Sequence, residues 1–372
     1  MKIVTIIGTR PQFIKAAPVS RAIQKSNQED SGSQIQEIIV HTGQHYDHNM
    51  SQIFFDELKI REPDYDLGVG SGNHGEMTGN MLAKIEKVLL EEKPDRVLVY
   101  GDTNSTLAGA LAAVKLHIPV GHVEAGLRSF NRQMPEEINR ILTDHMSSLL
   151  FCPTDAAVNN LKIEGLTEGV FKVGDVMFDS FLFNKSIAEK KSAFLSDLGL
   201  KPKEYCLVTV HREDNTTNSN RLTGIFEALD KLANAECPFI APLHPRTANA
   251  LNDLGNDYFF SPHVRILKPV SYLDMILLET HAKVILTDSG GVQKEAYFAQ
   301  VPCITLRNET EWAELVQHGF NLIAGSDTES ICRTFAKMLE GTAPFNQSLY
   351  GNGTASESIV RELCSRNALT GF

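Results

Sequence analysis

The sequence predicts an α/β protein built from two doubly wound, Rossmann-like parallel-sheet domains. Three observations carry this. Short apolar runs alternate with helical patterns along the whole chain. The alternation pauses and restarts near Gly174. At 372 residues the chain exceeds what one ordinary hydrophobic core fills. The expected domains are 1–173 and 174–354, with a final helix over 355–368 packing back on the first domain.

Composition narrows the function classes. Apolar content of 42% and charged content of 22% are globular values. A net charge of −11 argues against nucleic acid as an electrostatic partner, so any anion site is local. No apolar run approaches the ~18 residues that a membrane span needs. The first strand starts at Met1 with no small-residue cleavage site behind it, unlike a signal peptide. Six scattered cysteines without a C-x-x-C pair predict neither metal nor disulfide, and a reducing cytoplasm is the expected setting.

In the first half, strands are expected at 2–8, 37–43, 96–100, 119–124, 149–152 and 170–173. The runs are mostly apolar, as strands buried on both faces require. Helical spacing fills the gaps at 11–24, 50–58, 76–92, 105–116, 135–147 and 156–164. Ligands of such sheets bind beyond the carboxyl ends of the strands, so the residues after each strand matter most. The first strand is followed by Gly8-Thr9-Arg10-Pro11 and Lys15. Two cations at a helix start oppose its dipole, which points to a bound anion. The second is followed by a loop with His41, His45 and His48, whose spacing fits polar contacts better than a metal site. Residues 70–75 match G-x-G-x-x-G by letter, but the polar, Pro-bearing run at 62–69 is no buried strand, so a dinucleotide fingerprint is rejected. Asp102 follows the strand at 96–100, and Glu124 ends the next one, where an ionised carboxylate needs a partner. Glu136 and Arg140 lie four apart on one helix face. Asp102, Glu124 and Glu136 together would form an acid/base set.

In the second half, a helical connector over 175–195 leads to strands at 205–210, 239–243, 264–267, 283–286, 303–306 and 321–324. Helices are expected at 220–234, 248–254, 272–278, 292–299, 311–317 and 328–339. His211 and Arg212 follow the first of these strands, and Arg307 follows the fifth; each is an anion candidate. The stretch Thr287-Asp288-Ser289-Gly290-Gly291 closes a strand and opens a helix. It offers backbone N–H groups and the positive end of a dipole to a phosphate. Glu295, one turn further, suits ribose hydroxyls, while Asp288 or Ser289 also suits a plain helix cap. These strand ends are expected to face one interdomain cleft that focuses a diphosphate.

The combination of Gly8-Thr9-Arg10-Pro11 with Lys15, Gly101-Asp102-Thr103, His122 to Arg128, Pro135-Glu136-Glu137 with Asn139-Arg140, His211-Arg212-Glu213 and Asp288-Ser289-Gly290-Gly291 with Glu295 resembles the non-hydrolysing UDP-N-acetylglucosamine 2-epimerases. The resemblance spans nearly the whole chain in the same order. It implies a fold of the glycosyltransferase B type, with the site between the domains, and usually a homodimer. It implies no cofactor, metal or nicotinamide. UDP leaves C1 as the C2 proton is removed, and both return with C2 inverted. By resemblance, Asp102, Glu124 and Glu136 do acid/base work. Lys15, Arg10, Arg140 and His211 steady the diphosphate or the transition state, with Arg212 and Arg307 as further anion contacts. Ser289, Gly290, Gly291 and Glu295 hold UDP phosphate and ribose.

Three departures bear on the substrate. Trp312 stands where many members acting on UDP-N-acetylglucosamine have Arg, Met275 stands where an aromatic often packs near uracil, and the loop at 68–75 lacks an Arg-Gln pair resembling an allosteric substrate site. Gln12-Phe13 and Thr310-Glu311-Trp312 look more like the subgroup acting on UDP-2,3-diacetamido-2,3-dideoxy-glucuronate. The alternatives are a glycosyltransferase of the same fold, for which no acceptor patch is visible, and a non-catalytic UDP-sugar sensor, which would not need the three carboxylates.

Overall fold

The computed structural model describes residues 1–29, 34–44, 61–191, 193–253, 261–341 and 343–365. The helix expected at 50–58, His45 and His48, and the last residues of the helices expected at 248–254 and 355–368 lie outside them. The chain divides into two compact units, Met1–Ser180 with Ser348–Phe372, and Phe181–Gln347.

The first unit carries seven parallel strands: β1 (Lys2–Ile7), β2 (Gln36–His41), β3 (Tyr65–Asp66), β4 (Arg96–Tyr100), β5 (Val120–Val123), β6 (Leu149–Cys152) and β7 (Val170–Lys172). Their order is β3-β2-β1-β4-β5-β6-β7, so the sheet reverses direction of growth between β1 and β4. Helices α1 (Arg10–Gln28), α2 (His74–Glu92), α3 (Asn104–Lys115), α4 (Pro135–Met146) and α5 (Asp155–Ile163) connect them. β1, β4, β5 and β6 are buried along almost their whole length, which is why they read as mostly apolar runs. Small residues let α3 lie close to the sheet. A Cβ on Gly109 would stand 2.8 Å from Ile6 Cδ1, so any larger residue there would push the helix off.

β3 was not expected. It is a two-residue edge strand paired with β2 through Val40 and His41. An edge position buries only one of its two residues even partly, so no apolar run marks it. The glycines that follow lead into α2 through Asn73.

The unit boundary falls within helix α6 (Val176–Lys191), at residues 180 and 181, rather than at 173 and 174. The first turn of α6 belongs with the first unit because Asp179 accepts hydrogen bonds from Ser356 N (2.8 Å), Ser356 Oγ (2.6 Å) and Ala355 N (3.2 Å). These groups open α15 (Ala355–Ser365), the final helix, which packs on α1 and pairs Glu357 with Lys25 at 2.8 Å.

The second unit has six parallel strands: β8 (Cys206–Thr209), β9 (Phe239–Pro242), β10 (Val264–Leu267), β11 (Ile285–Thr287), β12 (Cys303–Thr305) and β13 (Asn321–Ile323). The order β10-β9-β8-β11-β12-β13 puts its reversal between β8 and β11. Its helices are α7 (Phe194–Asp197), α8 (Glu213–Thr216), α9 (Ser219–Leu232), α10 (Pro245–Asp253), α11 (Tyr272–His281), α12 (Gly290–Phe298), α13 (Ala313–Gln317) and α14 (Thr328–Leu339). The core packs Val208, Phe226, Phe239, Leu286, Ile304 and Phe335. The four-residue helix α8 was not anticipated; its charged sequence has no apolar face to announce it. No helix of the described residues is long and apolar enough to cross a membrane.

Candidate active site

In open α/β sheets the point where strand order reverses leaves a crevice at the carboxyl ends of the two flanking strands. In the first unit those strands are β1 and β4. The turn after β1 is fixed by Gln12, whose Oε1 accepts from Gly8 N (2.8 Å) and Thr9 N (3.1 Å) and whose Nε2 donates to Tyr100 O (2.9 Å). This capping side chain ties the turn after β1 to the end of β4. It leaves Arg10 exposed at the start of α1 and sends Lys15 inward.

Lys15 forms an ion pair with Glu124, and both side chains are largely buried. Glu124 sits just past β5 with φ +76, a left-handed conformation costly for a non-glycine residue. Gly101, at φ +63, packs beside the pair: a Cβ there would stand 3.0 Å from Lys15 Nζ and 3.3 Å from Glu124 Oε2. Next to it, Asp102 Oδ2 accepts from Arg140 Nη2 at 2.5 Å. Burial pulls the Arg140 guanidinium down, but Asp102, Glu137 and Glu124 together raise it above its ordinary value. Lys15, Glu124, Asp102 and Arg140 thus form one cluster of alternating charge.

The expected pairing of Glu136 with Arg140 is not what forms. Arg140 Nη1 binds Glu137 Oε2 at 3.0 Å instead, because α4 turns Glu137 inward and Glu136 outward. Glu137 is 1% exposed and also accepts from Ser129 N, Ser129 Oγ and Phe130 N. Burial raises its carboxyl, yet these donors hold it below the usual carboxylate range. The exposed Glu136 carboxylate makes no hydrogen bond or ion pair with any described residue.

Behind the cluster lies a buried relay. His122 Nδ1 meets Asp144 Oδ1 at 2.7 Å and His122 Nε2 meets Gly101 O at 2.7 Å. Asp144 Oδ2 accepts from Arg128 Nη1 (2.7 Å) and Gly126 N (3.1 Å). Asn139 Nδ2 donates to Asp102 O at 2.9 Å. This scaffold fixes the loops that carry Gly101, Asp102 and Glu124. Glu137, His122, Asp144 and Asn139 had drawn no role from residue chemistry. The apolar pattern of α4 gave no signal, since Ile138 and Leu142 are exposed while Glu137, Asn139 and Asp144 are buried.

In the second unit the reversal brings the ends of β8 and β11 together. Asp288 is fully buried and grips the loop after β8: it accepts from His211 N (3.1 Å), Arg212 N (3.0 Å) and Asn215 Nδ2 (3.0 Å). It is therefore a clamp on that loop rather than the cap of α12. Ser289 takes the capping role, accepting from Val292 N at 3.4 Å. His211 Nδ1 lies 3.3 Å from Asp288 Oδ1. Burial holds the imidazole below its ordinary value, helped by Arg212, His244 and Arg246 and opposed by Asp288. Glu311 draws Arg212 Nη2 (3.3 Å) and Arg307 Nη1 (3.0 Å) towards the same turn.

Space is left over at the glycines. A Cβ on Gly291 would have only Ser289 Oγ, at 3.8 Å, and one on Gly290 would meet Glu311 Oε2 at 3.4 Å. The fold itself does not demand glycine there. Trp312 Nε1 donates to Gly290 O at 2.8 Å, and Lys294 Nζ lies 4.5 Å over the indole ring. Glu295 is 8% exposed and accepts from the Tyr272 hydroxyl at 3.0 Å; Met275 is half-buried on the same helix as Tyr272.

The two reversal points, one with paired carboxylates and cations and one with a helix N-terminus flanked by arginines, place charged side chains beyond the strand ends of an α/β fold. Similarity makes this specific. The model of the UDP-N-acetylglucosamine 2-epimerase family matches residues 27–364, and the chain belongs to that family. It is 52% identical over 366 residues to the UDP-N-acetylglucosamine 2-epimerase homolog of Methanococcus maripaludis, covering 98% of this chain and 99% of that one. It is 52% identical over 367 residues to the UDP-2,3-diacetamido-2,3-dideoxy-D-glucuronate 2-epimerase of Pseudomonas aeruginosa, with the same coverage. The crystal structure of the Methanocaldococcus jannaschii UDP-GlcNAc 2-epimerase with UDP-GlcNAc and UDP matches with TM-score 0.82 and 46% identity, over 98% of this chain and 100% of that one. The fold is of the glycosyltransferase B type.

Proposed function

We propose that the protein is a non-hydrolysing 2-epimerase of a UDP-2-acetamido sugar. The observation that carries this is the Lys15–Glu124 pair beside the Asp102–Arg140 pair at the reversal point of the first sheet. Removing a proton from sugar C2 needs a carboxylate base, and expelling UDP from C1 needs nearby positive charge. The C2–H electrons form the C1=C2 bond of a glycal as the C1–O bond breaks and its electron pair leaves with UDP. In the return step the UDP oxygen re-forms the C1–O bond and a proton is delivered to the opposite face of C2. Asp102, Glu124 and Glu136 serve the proton steps. Lys15, Arg10, Arg140 and His211 stabilise the departing diphosphate, with Arg212 and Arg307 holding it. Ser289, Gly290 and Gly291 bind its phosphates, Glu295 the ribose, and Met275 lies towards uracil.

Two substrates fit this chemistry: UDP-N-acetylglucosamine and UDP-2,3-diacetamido-2,3-dideoxy-glucuronate. Trp312 in Thr310-Glu311-Trp312 supports the second, while the identity to the Pseudomonas enzyme, 52%, is matched by that to the Methanococcus homolog and favours neither. Proton NMR in D2O with each sugar decides. Deuterium entering at C2 of one of them, its epimer appearing and UDP not accumulating, is the expected result. No exchange with either, on folded protein that binds UDP, would overturn the reading.

The same reading carries a homodimer, a cytoplasmic setting and supply of surface-polysaccharide precursors. Support for the dimer comes from α4 and the loop before it, which expose Ile138 (38%), Leu142 (46%) and Phe130 (79%). Light scattering should give twice the chain mass for the native protein and the single mass for Leu142→Glu.

A further inference from the structure

Trp312 is the single tryptophan of the chain, and it stands against the turn that opens α12. Its indole Nε1 donates to Gly290 O at 2.8 Å. The segment around it meets the same helix twice more. Thr310 Oγ1 donates to Gln293 Oε1 at 2.5 Å and accepts from Trp312 N at 3.2 Å. Lys294 Nζ lies 4.5 Å over the indole ring. Gln293 and Lys294 follow Gly290 by three and four positions, so the three residues form one stripe along α12. Gln293 Oε1 also accepts from Asn321 Nδ2 at 3.0 Å, which ties the stripe to β13.

The group held by these contacts is a peptide plane. Two adjacent glycines start α12, and glycine is the residue whose backbone turns most freely. Packing does not fix the second of them: among the described residues, a Cβ on Gly291 would find its nearest neighbour, Ser289 Oγ, at 3.8 Å. The first N–H groups of a helix have no partner within it. The C=O of Gly290 and the N–H of Gly291 belong to one planar trans peptide and point in opposite directions. A donor on that oxygen therefore fixes where the N–H points, which is out of the helix start.

We propose that Trp312 is a positioning residue: through Gly290 O it presets the Gly290–Gly291 peptide so that the Gly291 N–H is aimed at a phosphate oxygen of UDP. The inference rests on the reading that this turn binds the UDP phosphates. A preset N–H spares binding the entropy of ordering two glycines. A hydrogen bond to the carbonyl also polarises the peptide and strengthens its N–H as a donor. Thr310 and Lys294 keep the backbone and the ring of residue 312 in register with that oxygen.

Because the chain has one tryptophan, growth on benzothienylalanine replaces the indole N–H at position 312 alone with sulfur. Calorimetric titration with UDP, and displacement titration with uridine, compare that protein with wild type and Trp312→Phe. Wild type should prefer UDP to uridine by at least about a hundredfold. Both replacements should cut that preference by about three- to tenfold and leave uridine affinity within about twofold. The sulfur isostere keeps the size of the ring, so the test does not depend on the phenylalanine variant folding. An undiminished preference in the isostere would overturn the role of Trp312 while leaving phosphate binding at this turn intact. Equal weakening of UDP and uridine would also overturn it, as the mark of a generally loosened unit. No preference for UDP in wild type would overturn the phosphate reading and this inference with it.

Discussion

Lys15 and Glu124, 109 positions apart in sequence, meet as an ion pair beside Gly101 at the carboxyl end of the first sheet. Glu124 is held in a left-handed backbone conformation to do so. Strain of this kind persists only where the surroundings over-determine it.

From this, Glu124→Gln should bind UDP with unchanged affinity and lose on the order of 10²- to 10⁴-fold in turnover. Lys15→Met should lower kcat more than it raises KM, since the ammonium serves the charge that appears when UDP departs. Steady-state kinetics alongside UDP titration checks both. Unchanged turnover in Glu124→Gln would remove Glu124 from the mechanism.

Asp144→Asn should act on stability. The substitution leaves His122 and the 1%-exposed Arg128 side chain without their shared anion. Breaking such a buried pair costs about 3–5 kcal/mol, on the order of 10 °C in Tm. Burial alone would raise the Asp144 carboxyl, but His122 and then Arg128 hold it below the usual range. A depressed folded value means that this stability is present above the unfolded value of about 3.9 and is lost as pH falls through the folded one. Thermal scans should show the wild type weakening below about pH 4, with a smaller further loss in the variant.

Glu137→Gln should loosen the loop at 128–134 without unfolding the unit. It removes the charged acceptor for Ser129 N, Ser129 Oγ, Phe130 N and Arg140 Nη1. Charge-assisted bonds of this type contribute about 1.5–3 kcal/mol each to the local structure. Hydrogen exchange should quicken at Ser129 and Phe130 by tenfold or more, about 1.4 kcal/mol of lost protection. Unchanged protection at those amides would show that Glu137 does not hold the loop.

Asp288→Asn should weaken UDP binding while leaving the far-UV circular dichroism intact. An amide presents one oxygen where the carboxylate uses two, so the His211 and Arg212 N–H groups lose acceptors. Each buried donor left unpaired costs about 1–3 kcal/mol, and the loop that carries both side chains should shift. The expected loss of UDP affinity is about tenfold or more by calorimetry. Equal affinity in the variant would detach this loop from nucleotide binding.

Much of the architecture was legible because parallel sheets leave a plain trace. Strands such as β1, β4 and β8 are buried on both faces and read as short apolar runs, with helical periodicity between them. Elements without that trace stayed hidden, namely the edge strand β3 and the charged turn of α8. The candidate motifs fell just beyond strand ends, but which strands flank the reversals came only from the strand order.

Which partner each residue takes was decided only in three dimensions. The i to i+4 rule favoured Glu136 for Arg140, yet the inward face of α4 offers Glu137. Of the two residues suited to cap α12, Ser289 does so, and Asp288 instead holds a loop 77 positions away. The sequence by itself determined periodicity, strand ends and the residue types available there, because these depend on neighbours along the chain. The tertiary structure decided which charges meet, because that depends on distances and burial between segments far apart in sequence.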